Sequence, residues 1–192
     1  MRPNCRPTAL RRAWCCSPSR APAPRPRPQL ARVLPAGTPL LSLQNGIDNA
    51  ARAQAVASQL RVVPAMVPFN VAELAPGHLH RGTQGVLAAQ DDVALTPWLP
   101  LFARAGLPLA LHADLAPVQW GKLLLNLNNP VNALSNLPLR DELLDRDCRR
   151  VFAALQTEAL GVMARAGITP AQVTAVSPTL SPAVSKPITQ AP

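Results

Sequence analysis

The residues with the clearest chemical potential are one lysine and two asparagines within residues 119–130. Lys122 is one of only two lysines in the chain. In an α-helix, at about 100° per residue, Asn126 lies about 40° from Lys122 and Asn129 about 20° on its other side. The three side chains would therefore share one narrow helix face. A lysine that stands beside amides and is desolvated by leucines is suited to protonating a carbonyl oxygen while a hydride arrives at the carbon.

Two interpretations of this polar face are open. The neighbouring leucines predict a helix that is apolar over most of its circumference, so the face would need polar partners, either protein groups or a polar ligand. Alternatively, the face is the solvated side of an amphipathic helix. Asparagine is a mediocre helix former, and four of them within seven residues favour the ligand. They are Asn126, Asn128, Asn129 and Asn132.

The elements that must position this face form an all-helical region. Helical patterns are predicted over 117–134, 139–147 and 148–166, and Gly167 is a typical residue to follow a helix end. A run of mixed charge occupies residues 141–150 and is typical of a solvated helix face. Glu158 stands on an Ala/Leu-rich pattern, where we expect a helix-packing role without a part in catalysis.

The preceding region alternates strands and helices. The pattern predicts a strand over 39–43, which ends at Gln44, Asn45 and Gly46, and then a helix over 47–59. A second strand is expected over 61–70, which its prolines restrict to an edge or an irregular role, and a hairpin-like bend is expected within 78–90. A helix over 97–105 and a strand over 107–112 complete this part. An α/β part followed by an all-α part predicts two domains.

The residues around Lys122 and Asn45 resemble those of a known family. The pattern W-x-K-L-L-x-N followed by N-P, preceded by a strand end L-Q-N-G, is similar to that of ketopantoate reductase (2-dehydropantoate 2-reductase). The similarity runs from about Gln29 to about Thr174. It implies the C-terminal part of a Rossmann, NADP-binding domain over 29–112. It also implies the start of a helical substrate domain, of the type found in 6-phosphogluconate dehydrogenase, over 113–176.

The resemblance also implies an activity and a set of site residues. The reaction would be NADPH-dependent reduction of ketopantoate, a small 2-keto acid, to pantoate for pantothenate and coenzyme A synthesis. Lys122 would be the catalytic residue, Asn126 and Asn129 would bind the substrate, and Asn45 would lie near the nicotinamide. Asn129 comes one residue sooner than in the best-known members. A relative that reduces another 2-keto acid is an open alternative.

Two segments depart from the family. Its glycine-rich phosphate loop should precede Asn45, but the first 36 residues contain no glycine. Its later serine and glutamate are not matched after Pro178. We therefore expect a truncated and impaired chain that binds NADPH weakly. Residues 1–28 are interpreted as a disordered leader of non-native appearance, and residues 177–192 as a disordered tail.

The charge distribution limits the possible partners. Residues 1–40 carry eight arginines and no acid, whereas the rest of the chain has 11 basic and 10 acidic residues. Nucleic acid and membrane are therefore not expected partners of the folded part. A transit peptide, or a non-catalytic remnant or interaction protein that uses this Arg/Pro-rich arm, is the remaining alternative.

Neither the cysteines nor the histidines predict a metal site. Three of the four cysteines lie in the leader, and no C-x-x-C pair occurs. His78 and His80 share a strand face but have no third ligand in sequence, and His112 is expected to be structural. Since no apolar segment follows the basic start as in a secretory leader, the expected location is the cytoplasm.

Overall fold

A computed structural model describes residues 28–172 of the chain. These residues divide into two units. The first unit ends at Leu115, and the second begins at Ala116. The leader and tail predictions lie outside the described residues. The interpretation of the two units as partial Rossmann and partial substrate domains stays a prediction.

The first unit contains a four-stranded sheet. Its helices are α1 (Pro28–Val33), α2 (Asn49–Val56) and α3 (Leu99–Arg104), and a 3₁₀ helix covers Val93–Trp98. The sheet strands are β1 (Pro39–Ser42), β2 (Arg61–Met66), β5 (Leu87–Gln90) and β6 (Leu109–His112). β1 runs parallel to β2 and β5 parallel to β6, whereas β2 and β5 are antiparallel.

The core of this unit lies on one face of the sheet. Its buried residues are Leu41, Val63, Ala65, Ala89 and Leu95, with Phe102 packed against them. Alternation along each strand places apolar residues on this face, where Leu95 of the 3₁₀ helix and Phe102 of α3 cover them. Asp92 caps the 3₁₀ helix by accepting a hydrogen bond from the Ala94 amide at 2.8 Å.

Of the two roles predicted for the second strand, edge or irregular, the edge position was wrong, because β2 lies between β1 and β5. Pro64 is tolerated there because it pairs with Ser42, the last residue of β1. Antiparallel pairing with β5 begins only at Ala65. The missing amide hydrogen of Pro64 thus falls at the junction between the two ladders.

The hairpin-like bend was also placed wrongly. A separate hairpin is formed by β3 (Val71–Ala75) and β4 (His78–Arg81), which pair with each other, while β5 joins the main sheet. All residues of the two strands except Arg81 are exposed. At the tip, Gly77 adopts a positive φ of 75°, which favours glycine.

The second unit is helical. Its helices are α4 (Ala116–Asn126), α5 (Asn128–Ser135), α6 (Leu139–Leu144) and α7 (Arg146–Arg165). Gly167 follows α7 with φ of 70°, which confirms the predicted helix end. Within the described range, no helix is both long and apolar enough to span a membrane. The fold class predicted from the sequence, α/β followed by all-α, is confirmed.

Candidate active site

Helix α4 carries the catalytic candidate Lys122. Pro117 lies in its first turn, where a missing amide hydrogen costs nothing. The inner side of the helix is anchored by Gly121 and Leu124, both buried. Gln156 of α7 donates a hydrogen bond to the Leu124 carbonyl at 3.4 Å. These contacts fix the rotation of α4, and therefore the side on which Lys122 stands.

The Lys122 ammonium is half-buried and unpaired within the described part of the chain. No hydrogen bond or ion pair connects it to another described residue. Desolvation by burial lowers its pKa from the ordinary value of 10.5. A lysine with a lowered pKa and no carboxylate partner releases its proton more readily than an exposed one, which suits a proton donor.

The prediction of one continuous helix over 117–134 was wrong. Pro130 has no amide hydrogen to donate to the carbonyl of Asn126, and its ring would clash with that carbonyl. Helix α4 therefore ends at Asn126, and α5 starts after Leu127. Asn126 is partly buried and Asn129, on α5, is exposed. The narrow face calculated for one continuous helix therefore applies to Lys122 and Asn126, which share α4.

A buried carboxylate lies beside this helix break and was missed in the sequence. Glu142 of α6 is only 1% exposed. Its Oε2 accepts hydrogen bonds from Nδ2 of Asn128 at 3.0 Å and of Asn132 at 3.2 Å. Two of the four clustered asparagines thus have a structural role, and the interpretation of residues 141–150 as a solvated face fails at Glu142.

Glu158 also departs from expectation. It is exposed on α7, whereas the buried polar residue of that helix is Gln156. The predicted packing role of Glu158 was therefore wrong. The Ala/Leu-rich surroundings of Glu158 indicated a buried helix face. That face contains Gln156, two positions earlier, and not Glu158.

Asn45 follows β1 in the first unit. Its backbone carbonyl accepts a hydrogen bond from Nδ2 of Asn49 at 2.7 Å, which closes the loop before α2. Gly46 has φ of 113°, and a Cβ there would stand 2.9 Å from Asn49 Nδ2, so the turn requires glycine. The loop at the carboxyl end of a parallel strand is where α/β sheets bind ligands.

The described residues fit a nicotinamide dinucleotide only in part. The exposed Asn45 loop suits one end of such a molecule. However, no glycine-rich turn between a strand and a helix, of the kind that holds a pyrophosphate, occurs among residues 28–172. In that same range no group of three or more His, Cys, Asp or Glu side chains could hold a metal ion.

The fold indicates a class of protein. A mixed α/β sheet followed by a helical unit is the arrangement of a Rossmann domain joined to a helical domain. Residues 24–91 match the family model described as ketopantoate reductase PanE/ApbA. No curated protein sequence matches the chain.

Solved structures agree with the family model. A PanE/ApbA family ketopantoate reductase from Ralstonia eutropha JMP134 is 25% identical with a TM-score of 0.65, covering 75% of this chain and 49% of that one. The 2-dehydropantoate 2-reductase from Methylococcus capsulatus is 22% identical with a TM-score of 0.66, covering 83% and 53%. D-mandelate dehydrogenase in complex with NADH has the same fold at 15% identity, with a TM-score of 0.61 and coverage of 74% and 50%.

The predicted resemblance is therefore confirmed. Residues 24–91 match the ketopantoate reductase family model, and the described residues share the fold of solved ketopantoate reductase structures. The chain spans about half the length of the structures that it matches.

Proposed function

We propose that this chain carries the keto-acid side of an NADPH-dependent 2-keto acid reductase, with 2-dehydropantoate as the substrate. The family match of residues 24–91 supports the oxidoreductase class. The observation that carries the site assignment is Lys122, whose half-buried ammonium has a lowered pKa and no partner in the described residues.

The chemistry assigned to the chain's own residues is proton donation and orientation. As the keto carbon is reduced, negative charge develops on its oxygen, and the Lys122 ammonium donates a proton there. Asn126, one helical turn further along α4, and Asn129, at the start of α5, are proposed to bind the carboxylate and hydroxyl ends of the acid. NADPH is the proposed source of the hydride, and Asn45 is the residue proposed to lie near it.

The test compares the chain's two lysines. Lys122→Ala removes the proton donor, and Lys186→Ala is the matched control for loss of one lysine charge. Because NADPH binding is expected to be weak, the assay uses NADPH well above micromolar concentration. Under that condition we expect 2-dehydropantoate-dependent oxidation of NADPH by the unsubstituted chain and by Lys186→Ala. We expect a loss of at least about 100-fold in kcat for Lys122→Ala, the scale of a positioned general acid.

A second readout does not depend on turnover. Binding of 2-dehydropantoate, followed by NMR titration, should weaken in Asn126→Ala and persist in Lys186→Ala. Equal turnover in the two lysine variants would show that Lys122 is not the proton donor. Absence of both turnover and keto acid binding in the unsubstituted chain would refute the proposed function.

A further inference from the structure

The buried carboxylate of Glu142 has no part in the chemistry proposed above. It is 1% exposed, and within the described residues no arginine, lysine or histidine forms an ion pair with it. Its partners are the two amides of α5 described above. Burying a charge without a cation is costly, and an apolar residue of similar volume often serves stability as well.

The two hydrogen bonds determine how α5 is rotated about its own axis. Asn128 and Asn132 are one turn apart, so their amides project from one side of the helix, about 40° from each other. Because both amides donate to the same oxygen, α5 cannot rotate without losing a bond. Asn132 Nδ2 also donates to the Leu137 carbonyl at 3.0 Å, which fixes the far end of the helix.

The carboxylate also determines which way the Asn128 amide faces. Glu142 Oε2 accepts this hydrogen bond, so the amide directs its Nδ2 toward Glu142. Its Oδ1 is buried and has no hydrogen-bond partner among the described residues. The local fold therefore keeps the bond to Glu142 even though a buried acceptor is left without one.

We propose that Glu142 is a positioning residue of the candidate active site. By locking the rotation of α5, it directs the amide of Asn129, which lies about 100° around the helix from Asn128, toward the keto acid. This inference rests on the proposed function, in which Asn129 binds the substrate. Glu142, on α6, does not itself contact the substrate but contributes to the affinity for it through the position of α5.

The test uses two substitutions in the full chain. Glu142→Leu keeps the approximate volume but removes the acceptor, whereas Glu142→Gln keeps an acceptor oxygen for both asparagines. We expect the KM for 2-dehydropantoate to rise about 10-fold or more in Glu142→Leu and to return close to the unsubstituted value in Glu142→Gln. Partial unfolding lowers apparent kcat through the active fraction but leaves KM unchanged, so the KM separates positioning from stability.

A double-mutant cycle identifies the residue through which Glu142 acts. If Glu142 acts through Asn129, Asn129→Ala raises KM, and adding Glu142→Leu to it raises KM little further. Arg149→Ala is the control, because Arg149 Nη1 donates to the carbonyls of Leu143 at 3.1 Å and Leu144 at 2.5 Å on α6. It should leave KM unchanged.

The outcomes separate this inference from the proposed function. If turnover requires Lys122 but the KM is unchanged in Glu142→Leu, the positioning role is overturned and the proposed function stands. KM effects of Glu142→Leu and Asn129→Ala that multiply also overturn it, because the two residues would then act independently. A chain that neither binds nor reduces 2-dehydropantoate refutes the proposed function, and the positioning role with it.

Discussion

Truncation of Leu124 tests the packing that holds Lys122 in place. Leu124 lies on α4 between Lys122 and Asn126 and is 0% exposed. Leu124→Ala removes three carbon atoms, or about 2.4 kcal/mol at about 0.8 kcal/mol per buried carbon. The cavity left behind brings buried Leu→Ala substitutions to roughly 2.7–5 kcal/mol. We expect the free energy of unfolding of the helical unit to fall by about 3 kcal/mol.

The assay is urea denaturation followed by circular dichroism, with thermal melting as a second measure. A loss of about 3 kcal/mol corresponds to a melting temperature roughly 12–24 °C lower for a unit of this size. The control is Leu134→Ala on α5, where the side chain is 88% exposed and the expected change is within about 0.5 kcal/mol. If both variants unfold at the same urea concentration, the inner face of α4 is not packed as described, and the argument for the orientation of Lys122 fails.

Three further predictions concern the affinity for NADPH, the pH dependence of turnover and the pH dependence of stability. We expect the 192-residue chain to bind NADPH more weakly than micromolar, and a micromolar isotherm in titration calorimetry would contradict this. Burial lowers the pKa of Lys122 below 10.5, so turnover that needs its ammonium should fall as the pH rises through this lowered pKa. A turnover rate that stays constant up to pH 10.5 would argue against a proton-donor role. In the unfolded chain Lys122 stays protonated up to a pH of about 10.5. Between the lowered pKa and pH 10.5 the folded chain therefore binds fewer protons than the unfolded chain. The free energy of unfolding should rise with pH over this range. Lys122→Met should remove this contribution to the pH dependence of the free energy of unfolding.

The sequence predicted most of the elements because their signals are local. The strand at 39–43, the helix end at Gly167 and the change from α/β to all-α each follow from apolar periodicity or from a glycine after a helix. The position of β2 inside the sheet could not be derived in this way. It depends on where two neighbouring strands begin and end relative to Pro64, which is a property of the assembled sheet.

The sequence predicted the helix that carries the candidate site better than the geometry of the site, and the assignment of the site residues stays a prediction. The apolar periodicity around Lys122 predicted a helix, which α4 confirms. The unusual asparagine content is the reason for proposing a site there. The break after Asn126 was implicit in Pro130, since proline disrupts the hydrogen bond four residues earlier. The burial of Glu142 had no local signal: its neighbours in sequence are charged, and its partners are 10 and 14 residues away.

The exposed hairpin of β3 and β4 has a practical consequence for work on this protein. Within the described residues its strands pair only with each other, and a Cβ added at Gly77 would meet nothing within 4 Å. A tip of this kind accepts extra residues with little cost in folding free energy. An affinity tag or a spectroscopic label inserted between Pro76 and Gly77 would therefore give a handle on the first unit while the core around Leu41 keeps its packing.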